Sequence, residues 1–460
     1  MFSGLRKEQI FCSLGSLGAT FSEHNFGADT CRRLKIKISR SFSPLNLLAN
    51  SSDWAFVWRG RDDGFLTLAL DALHIVSDAD QLKVNRDSVL QWFGSEPFAN
   101  EGGEEWGDLS AGVWFLPAIT WKLTSDQTIL IVQTLSNDKN VLETLKDKLI
   151  NLLEQALSAE DFTPFAPSLI ERSDTPDYAG WKKSLDAAQK AFAEARFHKV
   201  VLSRSSLLTL DRRGTWLYWL SRLIAIQEES YVFALKSPDG RAFLGRSPER
   251  LLAWKNGVFQ IDAIAGTRRR GQGQLVDRQA SRELKDSAKD LIEHRYVTQY
   301  IARLLQGLGL DYDLLDDEKL LQLTHVQHLR SRFQGHLTSQ VDAIELLNTL
   351  HPTPAVGGLP TPSATEFILA HEESERGLYA GFIGWCGASS GECAIGIRSA
   401  LVYDEFIRVF AGAGIVPDSD TKAEWDETEM KMQNFLFGLS DRRTPHPERP
   451  TETSDHQSAR

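Results

Sequence analysis

The chain has 460 residues, of which 51 are Lys or Arg and 62 are Asp or Glu, so its formal charge is −11. This acidic balance argues against a nucleic-acid partner, because binding to a phosphate backbone relies on clustered basic side chains. The four cysteines show neither metal-ligand pairing nor a disulfide-dense pattern, and no apolar run approaches the roughly 20 residues that span a bilayer. Composition therefore predicts a compact cytosolic protein that is neither exported nor inserted in a membrane.

The first third of the chain has the pattern of a β-sheet. Between residues 54 and 134, short apolar stretches alternate with turn residues, which predicts antiparallel strands that include 64–70 and 113–121. A helix fits 141–157. The Pro-containing stretch 162–176 is the one candidate boundary, where the chain is expected to cross between lobes.

The middle of the chain mixes helices with buried strands. A helix is expected to start near Asp177 and to run to Phe197, because apolar residues recur there at helical spacing. The hydrophobic period then changes, and buried strands are predicted at 199–208, 231–235 and 257–264. One long helix is expected from about 276 to 305, ended by Gly307 and Gly309.

The C-terminal part predicts an antiparallel meander and a last helix. Three strands are expected at 379–386, 393–403 and 407–416. A helix then fits 420–437, with Thr421 and Glu424 at capping-box spacing. The chain beyond Leu439 is polar and contains proline, so we expect a disordered tail there.

Two of the predicted helices each carry a pair of carboxylates. Asp290 and Glu293 are three residues apart and share one helix face, and Glu424 and Glu427 do so on the last helix, together with Lys431. If those faces converge, the like charges would repel unless a cation lay between them, and such an oxygen-ligand site suits magnesium with retained waters. Spacing alone does not bring the helices together, and a single pair also fits a solvated helix face.

Three other segments combine reactive groups with apolar or Gly-containing surroundings. Lys199 borders an apolar strand, where partial desolvation would ease its deprotonation and let it act as a base; a strand-edge lysine that reaches water fits the same pattern. Glu249 follows a turn and could be held protonated as a general acid in a dry site, or lie on the surface. At Gly266 and Thr267, the missing side chain lets backbone N–H groups approach an anion.

Taken together, these segments resemble the chorismate-utilising family, which contains isochorismate, salicylate and anthranilate synthases. The resemblance covers most of the chain from about residue 180 to 437, with a looser match in VWFLPAITW at 113–121. The matching segments occur in family order: HKVVLSR at 198–204, FLGRSPERL at 243–251, AIAGTRRRG at 263–271, KDLIEH at 289–294, HPTPAVGG at 351–358, RGLYAGFIGW at 376–385 and GAGIVPDSDTKAEWDET at 412–428.

The resemblance implies roles for individual residues. Lys199 resembles the general base that activates water for attack at C2 of the ring, and Glu249 the general acid that protonates the departing C4 hydroxyl. Glu293 and Glu427 match the residues that hold Mg²⁺. Asp290 and Glu424 match family carboxylates that lie behind these ligands or next to the substrate. A further set of residues matches family positions that contact the substrate or its carboxylates: Gly266, Thr267, Ala355, Tyr379, Arg398, Gly412 and Lys431.

Two residues place the chain within the family. Lys199 is absent from the branches that use ammonia, so water is the expected nucleophile and no glutaminase partner is expected. Salicylate synthases typically have Thr where this chain has Ala355, which favours isochorismate formation. Two alternatives stay open, namely a salicylate synthase, which also forms isochorismate before eliminating pyruvate, and a protein that binds chorismate without turnover. The joint retention of Lys199, Glu249, Glu293 and Glu427 argues against the second alternative.

The resemblance also implies the fold. We expect an α+β protein in which large, mostly antiparallel sheets stack centrally with helices outside, as a single domain. Residues 1–170 would form a sheet-rich part of the same fold, 171–440 the chorismate-binding catalytic region, and 441–460 a disordered polar tail. The sequence leaves open whether the product serves menaquinone, phylloquinone, a catechol siderophore or salicylate.

Overall fold

The structure is a computed structural model that describes most of the chain. The described residues are 16–26, 29–38, 42–49, 51–62, 65–82, 90–99, 102–125, 127–135, 144, 147, 152, 162–436 and 440–441.

Strands and helices are numbered separately in chain order. The strands are β1 Ser16–Phe26, β2 Asp29–Ile38, β3 Ala55–Arg59, β4 Leu66–Val76, β5 Gln91–Glu96, β6 Val113–Leu123, β7 Thr128–Thr134, β8 Ser168–Thr175, β9 Lys199–Leu210, β10 Tyr231–Lys236, β11 Ala242–Ser247, β12 Arg250–Lys255, β13 Val258–Arg269, β14 Tyr312–Gln322, β15 Val326–His336, β16 Gly358–Leu359, β17 Phe382–Gly387, β18 Ser390–Ile395, β19 Ser399–Tyr403, β20 Phe406–Ile415 and β21 Ser440–Asp441. The helices are α1 Pro44–Leu48, α2 Tyr178–Ala193, α3 Trp216–Ala225, α4 Gln274–Asp286, α5 Ala288–Gly307, α6 Ala343–Leu350, α7 Thr361–His371 and α8 Thr421–Leu436.

The strands form two layers that join at β6. One edge of β6 pairs with β4, while its other edge pairs with β5 at the start and with β7 at the end. The first layer runs β1-β2-β7-β6-β4-β3-β10-β11-β19-β20-β9-β8. The second runs β5-β17-β18-β12-β13-β15-β14. These pairings are antiparallel.

Side-chain alternation along the strands separates two apolar cores. Phe56 and Trp58 of β3 lie in the core between the layers, where Trp58 stacks on Tyr231 with ring centroids 5.1 Å apart. Val57, between them in sequence, points to the opposite face and belongs to a second core, which includes Trp219 of α3 and Phe435 of α8. This period of two is what a strand buried on both faces requires. The arrangement is the α+β fold of mostly antiparallel sheets with outer helices that the family resemblance implied.

The long helix predicted from 276 to 305 is two helices. Ser287 has φ −75° and ψ 111°, an extended conformation that ends α4, and its hydroxyl accepts a hydrogen bond from the Asp290 N–H at the start of α5. The side-chain oxygen thus serves an amide that a continuous helix would have paired internally. The consequence is a fixed first turn of α5, which carries Asp290 and Glu293.

The predicted three-stranded meander has four strands, because its middle strand is interrupted. β18 ends at Ile395, β19 starts at Ser399, and Arg398 between them has a positive φ of 53°. The two halves join different partners, since β18 pairs with β12 and β19 with β11. The break places Arg398 between the two layers.

Other expectations have mixed outcomes. The helix predicted at 141–157 lies almost wholly outside the described residues, as does the tail from residue 442 onward, although Ser440–Asp441 forms β21 beside β8. The last helix is capped by Asp420, whose carboxylate accepts from the Ala423 N–H, rather than by Thr421. Along the part of the chain that is described, none of the helices has the length and apolar character to cross a bilayer.

Candidate active site

A cavity lies at the meeting point of the two layers and helices α5 and α8. Segments far apart in sequence contribute its wall. Eleven of the residues singled out by the sequence line this one cavity: Lys199, Glu249, Gly266, Thr267, Glu293, Ala355, Tyr379, Arg398, Gly412, Glu427 and Lys431.

Lys199 is buried at the start of β9. Its side chain is 1% exposed, and its Nζ lies 3.1 Å from Oε1 of Glu293. The ion pair depends on Gly414 of β20, where a Cβ would lie 2.5 Å from the same carboxylate oxygen. The interpretation of Lys199 as a strand-edge lysine that reaches water is therefore wrong, since its side chain is buried and β9 pairs with both β16 and β20.

Glu249 occupies the short connection between β11 and β12. It is 4% exposed, its N–H donates to the Ser247 hydroxyl at 3.2 Å, and its carbonyl accepts from the Ile395 N–H at 3.1 Å. Burial raises the pKa of its carboxyl and the positive charge of Lys199 lowers it. The net result is a pKa of about 8. The side chain is thus protonated at neutral pH, and it is not a surface group in a turn.

The two acidic helices do meet. Lys289 of α5 donates to Glu424 of α8 at 2.7 Å, which joins the two helix faces. Glu293 and Glu427 line the cavity, and Lys431 Nζ lies 2.7 Å from Glu427 Oε1. Burial, followed by the charge of Glu427, raises the pKa of Glu424. The faces are therefore not solvated, and their negative charge is concentrated at one wall.

Asp290 and Glu424 lie behind that wall and do not line the cavity. Asp290 is 3% exposed and pairs with Arg268 at 2.7 Å, and a Cβ on Gly266 would lie 3.1 Å from its Cβ. Burial raises the pKa of Asp290. Its position fixes the approach of α5 to the strand that carries Gly266 and Thr267.

The opposite wall is cationic and presents donors. Gly266 has φ 74° and stands at a register shift of β13, which turns its carbonyl toward His328 of β15. Arg398 Nη2 lies 3.1 Å from His328 Nε2. Because a guanidinium can only donate, Nε2 must accept, so Nδ1 carries the proton and donates to the Gly266 carbonyl at 3.2 Å. Burial and the charge of Arg398 lower the pKa of His328 well below its usual range, which keeps the ring neutral.

Tyr379 and Lys431 close the cavity near β20. Tyr379 stacks on Phe410 with ring centroids 5.2 Å apart, and a Cβ on Gly412 would lie 2.9 Å from its hydroxyl. Lys431 donates to the Gly412 carbonyl at 2.8 Å. Gly412 therefore allows both polar groups to approach the strand closely. Ala355 contributes a small apolar side chain to the same wall.

The donor set suits a hard divalent ion of the Mg²⁺ type, which protein sites hold through one or two carboxylates together with waters and substrate oxygens. Glu293 and Glu427 supply those two carboxylates. Within the described residues there is no cluster of three or more Asp, Glu, His or Cys side chains that would form an all-protein cage. The residues thus fit an ion that completes its shell with water and a bound anion.

A model for chorismate binding enzymes matches residues 63–440, which is most of the chain. The chain belongs to this family of chorismate-binding enzymes. It is 33% identical over 348 residues to isochorismate synthase MenF of Bacillus subtilis, an overlap of 75% of this chain and 73% of that protein. It is 36% identical over 290 residues to isochorismate synthase EntC of Escherichia coli K12, covering 62% of this chain and 74% of that protein.

Two solved structures share the fold. MenF, the menaquinone-specific isochorismate synthase from Escherichia coli, matches with a TM-score of 0.78 at 26% identity, over 92% of this chain and 96% of that chain. Anthranilate synthase component I from Streptococcus pneumoniae matches with a TM-score of 0.63 at 18% identity, over 89% of this chain. The family assignment and the fold predicted from the sequence are confirmed.

Sequence reasoning missed His328 and Arg204. His328 stands in β15, outside the segments that carry the resemblance, and no spacing relates it to Arg398. Arg204 lies within one of those segments and is fully buried, where it donates to Thr428 at 2.7 Å and stacks over Trp425 at 3.8 Å. It joins the strand that starts at Lys199 to helix α8.

Proposed function

We propose that the protein is an isochorismate synthase, an isomerase that converts chorismate to isochorismate. The observation that carries this proposal is the presence of a buried amine, Lys199, and a buried protonated carboxyl, Glu249, in one cavity with an anion-binding wall. A general base and a general acid in one dry site are what the hydroxyl exchange needs. The isochorismate synthases among the relatives support the same activity.

Lys199 and Glu249 divide the proton transfers between them. In its unprotonated form, Lys199 accepts a proton from the water that attacks C2 of the ring. Glu249 donates its proton to the C4 hydroxyl, which leaves as water while the ring double bonds shift. Water enters and water leaves, so the reaction is an isomerisation. The raised pKa of Glu249, about 8, keeps this acid loaded at neutral pH.

The cationic wall would bind the carboxylates of the substrate. Arg398, oriented by its contact with His328, offers its remaining donors to the enolpyruvyl carboxylate, with Tyr379 beside it. The Gly266–Thr267 backbone and Lys431 would complete the contacts. A protein of net charge −11 needs such a local cluster to hold a small dianion.

Mg²⁺ is the proposed cofactor, with Glu293 and Glu427 as the residues that would hold it and Asp290 and Glu424 behind them. When bound, the ion would neutralise the ring carboxylate of chorismate. Lys199 and Lys431 pair with the same two carboxylates and so compensate their charge within the protein. Both ligands belong to helices that Lys289 ties together, which keeps the site in place.

A salicylate synthase is the second candidate, since it would also form isochorismate before eliminating pyruvate. Ala355 lies in the wall of the cavity. It favours the first candidate, because salicylate synthases typically have Thr at the corresponding position. A cytosolic location fits the free thiols of Cys31, Cys386 and Cys393, which are buried. Water as the nucleophile removes the need for a glutaminase subunit.

Incubation with chorismate and MgCl₂, followed by chromatography of the products, tests the proposal. Isochorismate as the main product is expected. Salicylate together with pyruvate would instead support the second candidate. Unchanged chorismate with measurable binding would mean that the protein holds the substrate without turnover, and it would contradict both.

A further inference from the structure

Behind Glu249 lies a buried cluster of charges that the residues of the cavity do not explain. Asp262 of β13 has a fully buried side chain and accepts from Arg61 Nη2 at 2.6 Å and from Arg332 Nε at 3.3 Å. Arg61, two residues beyond β3, is equally buried and stacks over the Tyr231 ring at 5.0 Å. A buried ion pair adds little net stability because both charges lose their hydration. Its place in the fold therefore calls for another explanation.

A second N–H donor of Arg61 binds the peptide next to Glu249, the proposed general acid. Arg61 Nη1 donates to the carbonyl of Pro248 at 3.0 Å, and that peptide immediately precedes Glu249. Pro248 has no N–H of its own, so its carbonyl is the polar group through which the turn can be held at this point. One guanidinium thus joins the backbone of the turn to the carboxylate of Asp262.

We propose that Arg61 and Asp262 position Glu249: Arg61 fixes the peptide that precedes the acid, and Asp262 supplies a permanent negative charge behind it. The proposal rests on the role of Glu249 in isochorismate formation. Neither residue lines the cavity, so both act through Glu249 and do not touch the substrate.

The charges around Glu249 make the sign of this effect definite. Burial alone would raise the pKa of Asp262, but the guanidinium groups of Arg61 and Arg250 lower it, so Asp262 is ionised. Its charge then opposes ionisation of Glu249, while Lys199 from β9 and Lys431 from α8 favour it. The remaining charged groups of the cavity wall are Glu293, Arg398 and Glu427. Without Asp262, burial would still raise the pKa of Glu249, but the cations would be opposed less, so Glu249 would lose its proton at lower pH.

The Asp262→Asn variant tests the charge. In profiles of kcat/KM for isochorismate formation, the alkaline limb of the variant should move to lower pH by about one unit relative to the unmodified protein. Glu392→Gln is the matched control, because Glu392 is a carboxylate of the neighbouring network, where it accepts from Tyr231 at 2.7 Å and pairs with Arg250. Its limb should stay in place. An unshifted limb in an active Asp262→Asn variant would overturn the role of the charge.

The Arg61→Lys variant tests the position and still decides the question if Asp262→Asn does not fold. A lysine keeps the charge near Asp262 but loses the fork that also reaches Pro248. We expect kcat to fall about tenfold with KM for chorismate changed less than about twofold. Unchanged kcat would overturn the positioning role. Absence of isochorismate with the unmodified protein would refute the proposed function, an outcome distinct from active variants without these effects.

Discussion

The buried carboxyl of Glu249 makes the stability of the fold depend on pH. Its folded-state pKa of about 8 lies above the ordinary value of 4.5, so the unfolded chain ionises first as pH rises. Stability linked to this group is present below about pH 4.5 and is lost as pH rises toward 8, by up to about 5 kcal/mol. Glutamine has no proton to lose and lacks this dependence.

The Glu249→Gln variant should therefore lose activity and gain stability. We expect a rate loss on the order of 10²-fold or more, because the leaving hydroxyl has no proton donor. In denaturant unfolding, the variant should be more stable relative to the unmodified protein at pH 8.5 than at pH 5. A stability difference that does not change with pH would contradict the buried protonated state.

His328 gives Arg398 a fixed hydrogen-bond acceptor. A His328→Leu variant removes that acceptor and leaves the guanidinium free to rotate, so KM for chorismate should rise roughly tenfold. His328→Gln, whose side-chain oxygen can accept from Arg398, is the control and should recover part of the affinity. Equal KM values in the Leu variant and the unmodified protein would show that Arg398 does not depend on this contact.

Helix α8 brings Glu427 to the cavity. The Glu427→Gln variant keeps the size of the side chain but removes one of the two proposed ligand charges, so a higher Mg²⁺ concentration should be needed for half-maximal activity. Isothermal titration with MgCl₂ in the presence of chorismate should show weaker binding as well. An unchanged Mg²⁺ requirement would remove Glu427 from the metal site.

Arg204 connects β9 to helix α8 and is expected to support both. It donates to Thr428 and to Glu429, and its side chain is fully buried. An Arg204→Met variant keeps an unbranched apolar stem but loses these contacts, so we expect a loss of about 3 kcal/mol in the free energy of unfolding. Thermal unfolding measures this loss, with Arg213→Met as the control because Arg213 forms an exposed pair with Glu405. Equal losses in both variants would contradict the special role of Arg204.

The same elements show where sequence reasoning succeeds and fails. The apolar run that begins at Lys199 predicted β9 because a strand buried on both faces leaves that pattern. The end of α4 was missed although Ser287 and Asp290 have the spacing of a helix start, because the helical apolar pattern continues on both sides. The interruption at Arg398 has no such signal, since a positive φ is expected at glycine and not at arginine.

The family resemblance identified the residues that line the cavity but not the buried residues behind them that hold them in position. Lys199, Glu249 and Glu427 stand in recognisable segments, and the fold brings these segments together. Arg61 reaches Pro248 across 187 positions of sequence and Asp262 across 201. Neither spacing nor composition relates residues so far apart, because their contact results from the stacking of two complete sheet layers.

Water is proposed to enter at C2 while the C4 hydroxyl departs, between Lys199 and Glu249. Turnover of chorismate in ¹⁸O-enriched water, with mass spectrometry of the isolated isochorismate, tests this exchange. We predict that the product carries one heavy oxygen on the ring at C2, and that Lys199→Ala forms it on the order of 10²-fold more slowly. Isochorismate without the label would show that the hydroxyl moves within the substrate, and it would contradict the account.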